Sequence, residues 1–154
     1  MKIAVLGTGL LGRAIAERLV SCGHSVSAYN RTGSKLEPLK ARGCVVSEDP
    51  SDVMQGAEAI LVVLADVVAI RQVLCSGRAK YLLAGRTIIQ MGTIGSEDSR
   101  MLGEEIEALG GDYLEAPVLG SKAEALAGTL SIMVGGTPEH FTRWHALLAD
   151  LGPS

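Results

Sequence analysis

Residues 2–19 read KIAVLGTGLLGRAIAERL. Lys2 to Leu6 is a short β-branched and aliphatic run that stops at Gly7, as a buried strand does. Beyond the glycines, Leu11, Ala14, Ile15, Leu19 and Cys22 recur at helical spacing, Arg13, Glu17 and Arg18 fall mostly off that stripe, and Gly23 ends the helix. Between strand and helix, Gly7-Thr8-Gly9-Leu10-Leu11-Gly12 spells G-x-G-x-x-G. With 19 glycines in 154 residues such a match alone carries little weight. Placed between a first strand and an amphipathic helix, it has the context that the dinucleotide-binding fingerprint requires. Gly7 permits the tight turn, Gly9 lets backbone approach a pyrophosphate, and Gly12 lets helix and strand pack closely. Thr8, Leu10 and Leu11 complete a loop whose free N–H groups and positive dipole end favour phosphate.

The same alternation continues outward. His24 to Tyr29 reads as a second strand, residues 34–42 as a helix, and Cys44 to Val46 as a third strand. Ala59 to Leu64 is a continuous apolar run, expected of a strand covered on both faces. Val67 to Cys75 reads as helix and Thr87 to Met91 as strand. Ser96 is placed to cap a helix with Leu102, Ile106 and Leu109 inward, ended by Gly110-Gly111. Residues 112–116 and Leu130 to Val134 read as strands, and Thr137-Pro138 as the start of a last helix reaching about Leu151. Alternating strands and helices with short links imply right-handed crossovers between parallel strands. The expected class is therefore α/β, a doubly wound, mostly parallel sheet of the Rossmann type. Such sheets bind ligands at the carboxyl ends of their strands, so the loops after residues 6, 29, 64, 91 and 116 are expected to share one edge.

Length fits one domain spanning residues 1–154. Hydrophobic residues make up 47% of the chain, with only one Phe and one Trp, so the core is aliphatic. A net charge of −3 with both signs scattered leaves no basic stripe for nucleic acid and no polybasic run for a membrane surface. No apolar run approaches the roughly 20 residues of a membrane helix. Cys22, Cys44 and Cys75 are odd in number and far apart, which favours free thiols in a reducing cytoplasm over a disulfide or metal site. His24, His140 and His145 have no metal-ligand spacing, so no metal is expected. H-E-x-x-H, G-x-S-x-G and the Walker lysine are all missing.

The second strand ends in Tyr29-Asn30-Arg31-Thr32. An Asp or Glu at this point holds the ribose 2′-hydroxyl of NAD. Here Asn30 stands instead, followed by Arg31, whose guanidinium can pair with a 2′-phosphate. Thr32 adds a hydroxyl. NADP(H) is therefore expected in preference to NAD(H), with a solvated surface charge as the other reading of Arg31.

Taken together, GTGLLGRAIAERL, the NRT at 30–32, VVLAD at 62–66, MGTIGSEDS at 91–99 and EAPVLGSKAEALAGTLSIMVGG at 115–136 resemble the β-hydroxyacid dehydrogenases. That group includes 3-hydroxyisobutyrate dehydrogenases and glyoxylate and succinic-semialdehyde reductases, and is similar in this region to 6-phosphogluconate dehydrogenase. Imine reductases share the first two motifs but not the segment at 115–136. The resemblance implies cofactor contacts from the backbone at Leu64 and Ala65 and from Thr93. It also implies that Gly120, Ser121 and Lys122 grip the carboxylate of a small substrate, although Leu119 stands where many members have serine. From the residues alone, Ser121 also reads as a turn former and Lys122 as an exposed loop charge.

The family's general acid–base is a lysine on a helix after the nucleotide domain, followed by an all-helical domain. No lysine of this chain matches that motif, so no catalytic residue is assigned. The expectation is the NADP(H)-binding domain of a longer oxidoreductase that transfers hydride between nicotinamide and a small 3-hydroxy acid or aldehyde acid. The full enzyme is expected to be a cytoplasmic homo-oligomer. The alternative is a noncatalytic nucleotide-binding or scaffolding module. The last helix, with Phe141, Trp144, Leu147 and Leu148, is expected to expose an apolar patch.

Overall fold

Ala59–Val62 (β4) is buried at every position, which requires cover on both faces of the sheet. The computed structural model, which describes all of residues 1–154, provides it. Lys2–Leu6 (β1), Ser25–Tyr29 (β2), Val45–Ser47 (β3), β4, Thr87–Gln90 (β5) and Asp112–Glu115 (β6) form one six-stranded parallel sheet in the order β3-β2-β1-β4-β5-β6. The chain starts at the centre, winds out to β3, then crosses back to β4 on the other side of β1. The strand order therefore reverses between β1 and β4, which is where such sheets open a ligand crevice.

Side chains of β1 alternate between two cores. Ile3 and Val5 join the face covered by Leu10–Ser21 (α1) and Pro138–Leu151 (α7), with Ile15, Leu19, Trp144 and Leu148. Ala4 and Leu6 join the opposite face with Val53 and Met54 of Pro50–Met54 (α3), Ile70 and Leu74 of Val67–Leu74 (α4), and Leu102 and Ile106 of Ser96–Ala108 (α5). None of these helices is long and apolar enough to cross a membrane.

Two glycines of the first turn allow backbone to touch backbone. Gly7 sits at φ +99°, and a Cβ there would lie 2.2 Å from the carbonyl oxygen of Val63. A Cβ on Gly12 would lie 1.9 Å from the carbonyl oxygen of Gly7. α1 thus leans directly on the turn that feeds it.

Several local expectations are corrected. Residues 34–42 are not one helix: a 3-10 turn at Gly33–Leu36 precedes the short Glu37–Lys40 (α2), because Pro38 fits only a first turn. α3 went unread because it is barely one turn long, although Asp49 caps it by accepting from Ser51 N–H. Gly95, not Ser96, is the N-cap of α5.

The strand expected over 130–134 shrinks to Ser131–Ile132 (β8), antiparallel to Val118–Leu119 (β7) and outside the main sheet. Between them Lys122–Ala127 (α6) packs on α1 and ends at Gly128, left-handed at φ 74°. Arg18 of α1 donates from Nε to the Asp150 carbonyl at 2.8 Å, and its guanidinium lies over Gly128, 2.6 Å from where a Cβ would stand. His24 Nε2 meets Asp150 Oδ2 at 2.7 Å, joining the start of β2 to the end of α7.

The expected apolar patch on the last helix is also corrected. Trp144, Leu147 and Leu148 are buried within the chain and Phe141 is half-buried. The exposed apolar side chains of this region are Leu119 of β7, Met133 just after β8, and Leu126 of α6.

Gly12→Ala is expected to strain the β1–α1 turn, because the obstructing atom is a backbone oxygen. Overpacking of this kind costs about 2–3 kcal/mol, or roughly 5–10 °C in melting temperature for a domain of this size. Thermal unfolding followed by circular dichroism checks it, and an unchanged midpoint would contradict the close approach.

Candidate functional site

At the carboxyl ends of β1, β2 and β4 the chain forms a cleft of about 960 Å³, at the large end of the usual ligand-pocket range. Its floor is the glycine turn, with Gly7, Thr8 and Gly9. One wall is Tyr29, Asn30 and Arg31 after β2, with Lys35 beyond. The other is Leu64, Ala65 and the first turns of α4, closed by Ser76 to Ala79.

The turn is open to an incoming group. Gly9 is the N-cap of α1 but makes no side-chain capping bond, and no acidic residue lies in the first helical turn. The first N–H groups of α1 are therefore not competed for by a protein carboxylate. A Cβ on Gly9 would meet nothing within 4 Å. The φ of −67° is open to any residue. Neither strain nor packing within the chain calls for glycine there, whereas a ligand in the cleft would.

The walls favour negative charge. Arg31 and Lys35 are exposed, and neither takes part in an ion pair. Arg78 reaches Ser51 Oγ at 2.8 Å and Asp52 Oδ1 at 3.2 Å. The two carboxylates of the cleft already serve the backbone. Asp66 Oδ1 accepts from Ala69 N–H at 2.8 Å, capping α4. Asp49 accepts from the Ser51 hydroxyl and N–H, and these bonds hold its carboxyl below the usual range. Both carboxylates keep their charge, so the cleft carries three cations, Arg31, Lys35 and Arg78, against two acids, and the surplus is positive.

Not every expected residue lines this cleft. Gly7, Thr8, Gly9, Asn30, Arg31, Leu64 and Ala65 do. Leu10, Leu11 and Gly12 lie in α1 beside it, and Thr32 stands just outside, its N–H bonded to Asn30 Oδ1 at 3.1 Å. Thr93 is exposed in the loop after β5; that loop meets the cleft wall at Gly92, where a Cβ would lie 3.0 Å from the Leu64 carbonyl.

Gly120, Ser121 and Lys122 lie apart, at the turn from β7 into α6. Ser121 caps that helix, accepting from Glu124 N–H at 3.5 Å and donating its hydroxyl proton to Glu124 Oε1 at 3.2 Å. Gly120, at φ 148°, has the same carboxylate against it, with Oε2 2.6 Å from where a Cβ would be. Lys122 is exposed and unpaired. His, Cys, Asp and Glu nowhere form a metal-binding group of three or more.

Lys35, Asp66 and Arg78 line the cleft without having been singled out. Asp66 was readable as an N-cap before Val67-Val68-Ala69. Arg78 reaches the cleft from the position just before a 3-10 segment, Ala79–Leu82, that has no periodic signature.

The family model for the NAD binding domain of 6-phosphogluconate dehydrogenase matches residues 2–154. This chain belongs to that family. Among relatives of this NAD-binding domain, 2-hydroxy-3-oxopropionate reductase of Escherichia coli is 34% identical over 154 residues, covering 99% of this chain and 52% of the relative. Glyoxylate/succinic semialdehyde reductase 1 of Arabidopsis thaliana is 33% identical over 138 residues, covering 88% and 48%. A solved structure of Mycobacterium tuberculosis 3-hydroxyisobutyrate dehydrogenase with L-serine superposes with a TM-score of 0.91 at 26% identity, covering 97% of this chain and 51% of that one. The chain spans about half the length of these two curated relatives.

The cleft suits the dinucleotide of an NAD-binding domain: an uncapped helix start, a glycine with open space above it, and unpaired cations on the wall. Gly9→Ala is expected to leave the melting temperature within about 1 °C of wild type, because the added methyl meets no protein atom, while weakening NAD(P)H at least about tenfold by filling the approach to the N–H groups. Calorimetric titration beside thermal unfolding checks both halves; unchanged affinity would remove Gly9 from the pyrophosphate site.

Proposed function

We propose that residues 1–154 are the NADP(H)-binding domain of a longer, β-hydroxyacid dehydrogenase-like oxidoreductase acting on a small 3-hydroxy acid or aldehyde acid. The observation that carries the cofactor preference is Arg31, exposed on the cleft wall and unpaired, at the end of a strand where Asn30 replaces the acid. Guanidinium pairs with phosphate through two parallel N–H bonds, whereas a carboxylate there would repel the 2′-phosphate. Lys35 on the same wall adds a second positive charge.

When bound, the nicotinamide supplies or accepts the hydride. The chain's own residues bind and orient. The N–H groups of the glycine turn hold the pyrophosphate, Arg31 with Thr32 selects the adenosine end, and Leu64, Ala65 and Thr93 border the path toward the outer strands. We assign the small carboxylate substrate to the turn of Gly120, Ser121 and Lys122. Lys122 supplies the charge there, since the Ser121 hydroxyl is engaged in capping α6. No group of this chain is assigned the proton transfer. Three free cysteines support a reducing compartment, the cytoplasm.

Titration of NADPH and NADH into wild type and Arg31→Ala tests the preference. A charge-assisted hydrogen bond contributes roughly 1.5–3 kcal/mol, so NADPH is expected to weaken about tenfold to a hundredfold while NADH changes little. An NADPH/NADH affinity ratio equal to wild type would take Arg31 out of this role.

A further inference from the structure

Gln90 is a fully buried polar side chain that does not line the cleft. It ends β5, with Val62 and Glu115 beside it on the flanking strands. By the alternation of the strand it shares a face with Ile88, toward the core under α3, α4 and α5. Packing there would be met by an apolar side chain, as at Ile88, and a buried amide costs free energy unless it is hydrogen-bonded.

Both ends of this amide are bonded to one residue. Oε1 accepts from the Gly92 N–H at 3.1 Å, and Nε2 donates to the Gly92 carbonyl at 2.9 Å. The partners settle which end is which, because an N–H can only donate and a carbonyl can only accept. Gly92 also lies against the chain after β4. A Cβ there would stand 3.0 Å from the Leu64 carbonyl oxygen and 3.5 Å from the Gln90 amide. Gly92 is thus bracketed by a side-chain amide beside a backbone peptide, and the next residue, Thr93, is carried out into solvent.

Sheet order decides which half of a dinucleotide meets this loop. β2 lies on one side of β1, and β4 and β5 lie on the other. A dinucleotide with its pyrophosphate on the glycine turn and its adenosine toward Arg31 has its nicotinamide toward the ends of β4 and β5. Leu64 lines the cleft there, and Gly92 backs it.

We propose that Gln90 is a positioning residue for the nicotinamide half of the cofactor. Its amide fixes Gly92, and through Gly92 the wall of Leu64 and Thr93, before the cofactor arrives. This rests on the reading of the cleft as an NADP(H) site. A loop fixed in advance loses less freedom on binding than one that the ligand must order. The adenosine half, seated on the other side of β1, gains nothing from the bracket.

Two titrations separate positioning from general damage to the cleft. Adenosine 2′,5′-bisphosphate carries only the adenosine half, whereas NADPH carries both. Methionine is unbranched and flexible but makes neither bond, so Gln90→Met removes the bracket while keeping the site filled. In this variant NADPH is expected to bind about tenfold more weakly, and the bisphosphate as in wild type. Gln90→Asn keeps the amide but is one methylene short of both groups. It is expected to show the same split, and decides the role if the methionine variant does not fold.

Amide hydrogen exchange of the wild-type chain without ligand reads the bracket itself. The Gly92 N–H is expected to exchange at least about tenfold slower than an unstructured glycine amide. Exchange at the unstructured rate overturns the bracket. Wild-type NADPH affinity in the variants, or equal weakening of both ligands, overturns the positioning role. Failure of the wild-type chain to bind either ligand overturns the NADP(H) reading instead, and the exchange result still decides whether the bracket exists.

Discussion

The contact on which the molecule depends is between backbones. α1 can start where it does only because Gly12 brings no side chain to the Gly7 carbonyl and Gly7 brings none to Val63. A side chain at either place would push the helix off the sheet or β4 away from β1. This contact lies at the point where the strand order reverses, so it also sets the width of the crevice. Packing and site are thus fixed by one local geometry, and the third glycine, Gly9, is spared for whatever approaches from outside.

Most of the central sheet was legible because its signals are local and strong. Ala59 to Val62 is apolar without interruption, β1 and α1 differ sharply in period, and glycine closes several helices. What escaped was short or dependent on tertiary partners. α3 begins with proline and lasts a single turn, too brief for a hydrophobic period. The segment at 115–130 reads as irregular because it holds a two-residue strand, a capped helix and a left-handed glycine in succession. The last helix misled in the opposite sense: its large apolar residues drew attention as a free surface, while α1, α6 and β6 supply enough cover to bury them.

The candidate site divides in the same way. The glycine turn and the Asn30-Arg31 pair are each a short unbroken run and could be read from spacing. Lys35, Asp66 and Arg78 converge on the cleft from separate segments, and only topology brings them together. Resemblance also assigned roles that the packing refines. Ser121 reads as a ligand by motif, yet its hydroxyl caps α6 and donates to Glu124. Asn30 reads as the missing acid, yet its amide is bonded to two neighbouring turns.

Arg18 gives the domain a property that neither loop has alone. α1 begins at the glycine turn and α6 begins at Gly120-Ser121, and the two helices pack side by side. At their far ends the Arg18 guanidinium lies over Gly128, which caps α6, and holds the end of α7. The two loops are therefore mounted on a single stiff frame, like marks on one ruler. The spacing of the two loops is set by how α1 and α6 pack, so the proposed cofactor and substrate sites inherit their separation from that helix pair.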